Sequence, residues 1–197
     1  LIFFSLFLYA SGMKANDKGI PVVVDAVGVG ATKFRTEKFR ELAQKVKLSV
    51  VKGNSAEMGI IAGVKAEVKG VEAVSVEGNL EDIAKKVASE YGCTAAITGK
   101  TDIVSDGSSV YLVNNGHQMM GSIVGTGCMA ASVIGSFCAV EKDYALASAS
   151  ALSVMGIAGE LAAAKSHGPA TFKEAFFDEM YNLDDEKIIR LARVEKE

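Results

Sequence analysis

The stretch IPVVVDAVGVGATKFRTEKFRELAQKVKLSVVKGN, residues 20–54, decides the fold class. Its first six residues are apolar up to a final acid and show no polar alternation, as is typical of a strand buried on both faces of a parallel sheet. A glycine-containing loop follows, and apolar side chains then recur at helical spacing over residues 33–46. The run LSVVKGN completes a strand–helix–strand unit, which predicts a right-handed crossover and an α/β fold.

Polar residues stand at the ends of these strands. Ligands of open α/β sheets bind beyond the carboxyl ends of the strands, and Asp25 and Lys52 both fall there. Thr98 occupies the same position in a third buried run, CTAAITG. Two interpretations remain open for the charged pair: Asp25 binds a ligand or caps a turn, and Lys52 binds phosphate or is a solvated strand end.

Asn54 and Glu57 mark the start of the next helix, in the sequence GNSAEMGIIAG. Asn54 is a good N-cap residue, and Glu57 would lie in the first turn, where the helix dipole favours a carboxylate. The alternative is functional: side chains three residues apart on a helix could orient a water bound to Mg²⁺ beside phosphate groups.

The middle of the chain predicts further helix and strand. Residues 63–79 read as a loop with short strand pieces, and residues 80–91 as an amphipathic helix that Gly92 ends. The dipeptides Asp106-Gly107 and Asn115-Gly116 both predict hairpins, so the sheet should finish with antiparallel edge strands. We therefore interpret His117, which follows the second turn, as a solvated hairpin residue rather than as a residue that binds a ligand. From Thr171 onward we expect two helical segments joined by an acidic link at residues 184–186.

The glycine-rich motif Gly125-Thr126-Gly127-Cys128 opens a long helical segment. Its glycines let a ligand approach the backbone, and the free N–H groups and positive dipole of a helix N-terminus favour phosphate or an oxyanion. Cys128 falls at or beside that positive end. A tight turn before a helix is the structural alternative for the motif, which alone is a weak signal.

Two apolar helices, residues 127–140 and 144–165, follow the motif. Their content of Ala, Ser and Gly, with Glu160 inside the second, predicts helices buried in the protein rather than a transmembrane hairpin. Cys138 need not share the site of Cys128, because ten residues of helix turn it about 80° away. Cys93 opens a strand and reads as a core residue.

Length and composition limit the class of protein. The 197 residues fit a single domain, and a net charge of −3 disfavours a nucleic-acid partner. Three cysteines indicate reduced thiols in a cytoplasmic protein. The apolar start LIFFSLFLYASG lacks a basic n-region and is shorter than a membrane span, so we prefer a helix over residues 3–17 with Gly19 as its C-cap. The first residue, Leu, predicts that the chain begins in mid-gene.

The blocks PVVVDAVGVGATKFRTEKFRELA, VKGNSAEMGIIAG, AAITGKTDIVSDG and NNGHQMMGSIVGTGCMAAS, in this order, resemble the hydroxyethylthiazole kinase family of the ribokinase-like superfamily. The resemblance runs from about residue 14 to about residue 169. It implies a three-layer αβα sandwich with a mostly parallel sheet, homotrimeric with the site near a subunit interface. It also implies ATP and Mg²⁺, and transfer of the γ-phosphoryl group to the hydroxyl of 4-methyl-5-(2-hydroxyethyl)thiazole in thiamine biosynthesis or salvage.

The resemblance also implies roles for individual residues. Cys128 stands where most ribokinase relatives have a catalytic Asp, and would receive or orient the alcohol proton. The resemblance places Thr126 and Gly127 in an anion hole for the phosphoryl group, and Gly125 against the thiazole substrate. It places Lys52 and Thr98 on ATP, and Asp25, Asn54 and Glu57 near Mg²⁺. Relatives often have Arg in place of Lys52, which keeps the charge but not the bidentate fork.

The front of the chain departs from the family, whose members carry more sequence before the segment that starts near residue 14. We therefore expect an N-terminally incomplete domain with an exposed sheet edge. Two other classes of protein stay open. One is an inactive nucleotide-binding relative, and the other is another ribokinase-like enzyme such as a hydroxymethylpyrimidine kinase. Cys128 is evidence against the second class, because those enzymes typically have Asp at that position.

Overall fold

The computed structural model describes residues 2–64, 66–69, 72–76 and 78–197 of the chain, and side chains outside residues 2–5, 66–69 and 72–76. In chain order its regular elements are α1 (Ile2–Asp17), β1 (Val23–Asp25), α2 (Lys33–Lys45), β2 (Val50–Asn54), α3 (Ser55–Ile61), β3 (Ala66–Lys69), β4 (Glu72–Val76), α4 (Leu80–Tyr91), β5 (Thr94–Thr98), β6 (Asp102–Ser105), β7 (Val110–Val113), a 3₁₀ turn (Gln118–Ser122), α5 (Thr126–Val140), α6 (Tyr144–Lys165), α7 (Pro169–Tyr181), α8 (Asp185–Leu191) and β8 (Val194–Lys196).

The main sheet has six strands in the order β1-β2-β5-β6-β7-β8. The pairs β1–β2 and β2–β5 are parallel, and the remaining three pairs are antiparallel. The predicted α/β class with antiparallel edge strands is therefore confirmed, but the sheet is mixed rather than mostly parallel, because three of its five strand pairs are antiparallel. Strand β1 forms the edge of the sheet on the parallel side.

Two hydrophobic cores, one on each face of the sheet, make three layers. On one face Val50, Ala96 and Val104 pack with the apolar side chains of α5, α6 and α7. On the other face Val51 and Ile103 pack with those of α2, α3 and α4. Successive residues of one strand point to opposite faces, so covering both faces requires every position to be apolar. This explains why the buried strands show no polar alternation.

Most predicted elements occur near their expected positions. The helices expected over residues 33–46, 80–91, 127–140 and 144–165 are α2, α4, α5 and α6. Strand β1 is shorter than predicted and begins at Val23, because Pro21 has no N–H to donate to a ladder and the Val22 N–H donates to the Ser49 hydroxyl at 3.1 Å. The short strand pieces expected in residues 63–79 are confirmed as the antiparallel pair β3–β4, while residues 65, 70, 71 and 77 of that prediction lie outside the described residues.

The second predicted hairpin is wrong. Asp106-Gly107 does connect β6 to β7, but Asn115-Gly116 leads into the 3₁₀ turn, and His117 caps that turn instead of following a hairpin. On its side away from β6, strand β7 pairs with β8, which follows α8 at the end of the described chain. Asp184 of the predicted acidic link caps α8 and accepts a hydrogen bond from the Lys187 amide.

The N-terminal helix α1 confirms the expected helix over residues 3–17, and Gly19 after it has a left-handed φ of 65°. It packs on α2, where the Tyr9 hydroxyl donates to the Glu41 carboxylate at 2.8 Å. Its outer side keeps large apolar side chains exposed, namely Leu6, Phe7, Leu8 and Met13. The unusually apolar start of the sequence therefore contributes only part of its surface to packing.

Helix α6 is the one helix among the described residues that is long and apolar enough to cross a membrane, and 72% of its apolar window is buried inside the fold. Thirteen of its residues are buried, including Leu152, Met155 and Ile157. It packs against α5, α7 and three strands of the sheet. The helix is thus a central core helix, as its small-residue composition predicts.

Candidate active site

The carboxyl ends of the parallel strands bring four predicted site residues to one edge of the sheet. In the ladder Asp25 of β1 is opposite Lys52 of β2, and Asn54 of β2 is opposite Thr98 of β5. Parallel strands end at the same edge, which is where open α/β sheets bind ligands. The sequence-based expectation that these residues cluster is therefore confirmed, whatever their roles.

Lys52 links this sheet edge to the start of α5. Its side chain is 5% exposed, and its Nζ lies 3.1 Å from both carboxylate oxygens of Asp25 and 3.1 Å from the carbonyl oxygen of Gly127. The interpretation of Lys52 as a solvated strand end is wrong, because the fold buries its ammonium group among three acceptors. The Asp25 carboxylate is likewise part of a half-buried ion pair rather than a turn cap.

Glu57 holds two backbone segments together. Its Oε2 accepts a hydrogen bond from the Asn54 amide at 2.9 Å, and the Asn54 side chain accepts one from the Glu57 amide, which forms a capping box. Its Oε1 accepts from the Gly28 amide at 2.7 Å, in the loop after β1. Burial raises the pKa of Glu57 although these bonds oppose the rise. The capping interpretation is confirmed, and the same carboxylate also fixes the glycine loop.

The Gly125–Cys128 motif forms a tight turn into α5, as predicted. Gly125 is the N-cap with a left-handed φ of 104°, and no described side chain caps this helix end. The Thr126 hydroxyl donates to the carbonyl of Met120 at 3.1 Å, which ties the turn to the 3₁₀ segment. A Cβ on Gly127 would lie 3.2 Å from Lys52 Nζ. As at any helix N-terminus, the first-turn N–H groups of α5 have no acceptor within the helix, which is the arrangement that favours anions.

A cleft of about 820 Å³ leads to this turn. Its walls come from the β5–β6 turn with Thr98, from the segment between β7 and the 3₁₀ turn, from α6, and from Thr126 and Gly127. The remaining predicted residues, Asp25, Lys52, Asn54, Glu57, Gly125 and Cys128, are not among its lining residues. Cleft volumes of 300–1,000 Å³ are usual for small-molecule and cofactor sites.

Cys128 is exposed in the first turn of α5 and does not line the cleft. It borders an apolar depression of about 320 Å³ that α5 and α7 form, lined also by Met129, Ser132, Val133, Met155, Phe176, Phe177 and Met180. Cys138, on the same helix, is fully buried, so the two thiols do not share a site. Cys93 is also buried, in the core on the other face of the sheet.

Sequence reasoning missed several residues of the cleft. Asp102, at the start of β6, lines it, and its Oδ1 accepts a hydrogen bond from the Gly99 amide at 2.9 Å. Burial raises the pKa of Asp102 to about 6. Asn115 is buried in the opposite wall, and His117 also lines the cleft. A carboxylate that opens a strand and an Asn-Gly dipeptide carry no sequence signal for a site, since both are ordinary features of turns.

The same architecture recurs in known proteins. The pyridoxal kinase of Staphylococcus aureus, solved in complex with AMP-PCP and pyridoxal, aligns with 98% of this chain and 68% of its own at 19% identity with a TM-score of 0.61. A hydroxyethylthiazole kinase structure from Pyrococcus horikoshii OT3 aligns with 98% of this chain and 72% of its own at 34% identity with a TM-score of 0.85. The three-layer fold is that of the ribokinase-like kinases.

Sequence comparison defines the family. The model of the hydroxyethylthiazole kinase family matches residues 6–186. The hydroxyethylthiazole kinase of Methanosarcina acetivorans is 50% identical over 186 residues, which cover 94% of this chain and 71% of the relative. That of Thermoanaerobacter pseudethanolicus is 47% identical over 189 residues, 95% of this chain and 72% of the relative. The chain belongs to the hydroxyethylthiazole kinase family and is a kinase.

Proposed function

We propose that this kinase transfers the γ-phosphoryl group of ATP to the hydroxyl of 4-methyl-5-(2-hydroxyethyl)thiazole, a reaction of thiamine biosynthesis or salvage. The observation that carries the proposal is that the Gly125–Cys128 turn borders two cavities, the cleft through Thr126 and Gly127 and the apolar depression through the exposed Cys128. A nucleotide in the cleft would place its terminal phosphate at the N–H groups of the turn. The acceptor alcohol would approach from the side of Cys128.

The residues then have distinct roles. The N–H groups of Thr126 and Gly127 form the anion hole, because amides fixed at a helix N-terminus stabilise the charge of the transferring phosphoryl group. Gly125 contacts the thiazole, and Cys128 orients or receives the proton of its alcohol. Thr98 contacts ATP from the cleft wall. Lys52 acts from behind the turn, where its charge offsets that of the phosphates and its bond to the Gly127 carbonyl holds the turn in place.

Asp25, Asn54 and Glu57 offer side-chain oxygens of the kind that Mg²⁺ binds, but the carboxylate oxygens are shared with hydrogen-bond donors. Magnesium prefers oxygen ligands, and it commonly keeps several waters while binding one or two carboxylates and the substrate phosphates. Each carboxylate oxygen of Asp25 and Glu57 already accepts one hydrogen bond. Within the described residues no group of three or more His, Cys, Asp or Glu side chains could hold a metal by itself. Asp25, Glu57 and Asn54 would therefore hold the ion largely through its waters. When bound, Mg²⁺ neutralises phosphate charge.

Release of ADP by the purified 197-residue chain with Mg-ATP, with and without the thiazole alcohol, tests the proposal. We expect turnover that depends on the alcohol and falls by about 100-fold in Cys128→Ala, the lower range for loss of a proton-transfer group. Cys138→Ala, which removes a buried thiol from the same helix, is the matched control and should keep its turnover. Binding of ATP without turnover would favour the nucleotide-binding alternative, and turnover with hydroxymethylpyrimidine instead would favour a pyrimidine kinase.

We further propose that the kinase assembles as a homotrimer and is cytoplasmic. A homotrimer with the site near a subunit interface would cover the apolar depression beside Cys128, whose lining includes the half-exposed Phe177. Reduced thiols at Cys93, Cys128 and Cys138 agree with a cytoplasmic protein. Residues 1–197 would act as a single kinase domain. Sedimentation equilibrium of the chain tests the trimer directly, and a monomer that turns over at full rate would refute it.

A further inference from the structure

One wall of the cleft, residues 114–117, is irregular backbone held by distant parts of the chain. It lies between β7 and the 3₁₀ turn and contains Gly116 at a φ of 140°. Helix α6 passes so close behind it that a Cβ on Gly156 would lie 2.6 Å from the carbonyl carbon of Asn115. Among the described residues no strand pairs with residues 115–117, so the position of this wall depends on the side chains that bind it.

Arg193, in the segment between α8 and β8, binds two residues of the wall. Its Nη2 donates to the carbonyl of Asn114 at 2.8 Å, and its backbone N–H donates to Oδ1 of Asn115 at 2.8 Å. Its carbonyl accepts from the Asn114 amide at 2.9 Å. The carbonyl of Leu191 accepts from the Asn115 side chain at 2.9 Å. The tail and the cleft wall thus form one hydrogen-bonded unit.

Glu160 of α6 completes this unit. Its carboxylate pairs with the Arg193 guanidinium through both oxygens, at 2.6 and 3.1 Å, and its Oε1 accepts from the Gly116 amide at 2.7 Å. Burial raises the pKa of Glu160, but the bonds from Arg193, Gly116 and Asn115 outweigh this, and the pKa lies below its ordinary value. One ion pair therefore connects the core helix, the tail and three consecutive residues of the wall.

We propose that Arg193 and Glu160 are positioning residues that set the affinity of the cleft for the nucleotide. This rests on the proposed function, in which the cleft binds ATP. Neither residue lines the cleft, but between them they bind Asn114, Asn115 and Gly116, which do. If loss of the ion pair leaves the wall in its competent position a tenth of the time, the apparent Kd for ATP rises about tenfold.

The test uses the full chain and three variants of the pair. Arg193→Ala removes the guanidinium, Arg193→Lys keeps the charge but loses the planar fork, and Glu160→Gln keeps the shape but loses the charge. Lys165→Ala is the matched control. Lys165 is also a residue of α6 that forms an ion pair, but its partner is Glu179 and neither residue lines the cleft. For each protein we would measure ATP binding by calorimetry, KM for ATP and for the alcohol, kcat, and amide exchange of residues 114–118.

We expect Arg193→Ala to raise Kd and KM for ATP about tenfold, with kcat and the KM for the alcohol within about twofold of wild type. Arg193→Lys should recover part of the affinity, and the Gly116 amide should exchange faster in Glu160→Gln. A purely structural role would lower the melting temperature in Arg193→Ala and Lys165→Ala alike and leave ATP affinity unchanged, which would overturn the inference alone. A wild-type chain that neither binds ATP nor turns over would overturn the proposed function, and the inference with it.

Discussion

The ion pair between Lys52 and Asp25 offers the sharpest test of how the site is built. We consider the variant Lys52→Met, which keeps the length of the side chain and removes its ammonium group. In the variant the Asp25 carboxylate, whose side chain is 14% exposed, loses the group that donates to both its oxygens, and the Gly127 carbonyl loses its donor. Removing one partner leaves a buried charge that water reaches poorly, which is the costly part of the change.

The expected cost is about 3 kcal/mol of unfolding free energy, the lower end for breaking a buried pair, since Asp25 keeps some contact with water. At roughly 2–4 °C per kcal/mol for a chain of this size, the melting temperature should fall by about 6–12 °C. Adding Asp25→Asn removes the unpaired charge. We expect the double variant to recover about half of the lost unfolding free energy. It should remain about 1–2 kcal/mol less stable than wild type, because the hydrogen bonds of Lys52 are still missing.

Urea unfolding followed by circular dichroism at pH 7.5 measures these differences, provided that the urea dependence of the unfolding free energy stays constant among the variants. Lys14→Met is the matched control, because Lys14 and Asp17 form an ion pair with both side chains more than two-thirds exposed. Such surface pairs contribute at most about 1 kcal/mol. The reasoning is refuted if Lys52→Met unfolds within 1 kcal/mol of wild type, or if adding Asp25→Asn lowers stability further.

Three further changes test other parts of the site. Gly125→Ala forces a side chain into a left-handed φ of 104° and should cost about 1–2 kcal/mol in urea unfolding; an unchanged stability would show that the turn relaxes. Gly156→Ala places a methyl group against Asn115 and should lower stability by about 1–2 kcal/mol and raise KM for ATP, whereas a stabilised variant would contradict the close approach. The pKa of Asp102 is raised by burial to about 6, so the folded chain binds more protons than the unfolded chain between about pH 4 and 6, and stability should fall as pH rises through that range. Asp102→Asn, which keeps an acceptor for the Gly99 amide, should flatten this fall in unfolding measurements at pH 4 to 7; an unaltered slope would assign it to other groups.

The parallel half of the fold was readable from the sequence because local patterns determine it. Runs without polar alternation identified β1, β2 and β5, and the parallel arrangement then placed Asp25, Lys52, Asn54 and Thr98 at one edge. The glycine turn before α5 was also predictable, because a tight turn into a helix with a left-handed N-cap favours glycine at Gly125. In each case the information lies within a few residues of the element it specifies.

The antiparallel half was less predictable because its pairing is not local. Asn115-Gly116 has the sequence of a hairpin turn, but the 3₁₀ turn follows it directly instead of a partner strand. The buried Asn115 side chain makes hydrogen bonds with the tail. Strand β8 is only three residues long, so its alternation is too short to recognise. The pairing of Lys52 with Asp25 and Gly127 was likewise hidden, since a sequence does not show which strand-end charges neutralise each other.

The pairing of the tail with the cleft wall also constrains the order in which the protein folds. Arg193 and Asn114 are 79 residues apart along the chain, whereas β1, β2 and β5 meet through shorter connections. Contacts between distant residues form slowly, because the chain loses the entropy of a long loop before the contacts compensate for it. The parallel half should therefore assemble first and β8 should dock last, so that the ability to bind nucleotide appears only in the final phase of refolding.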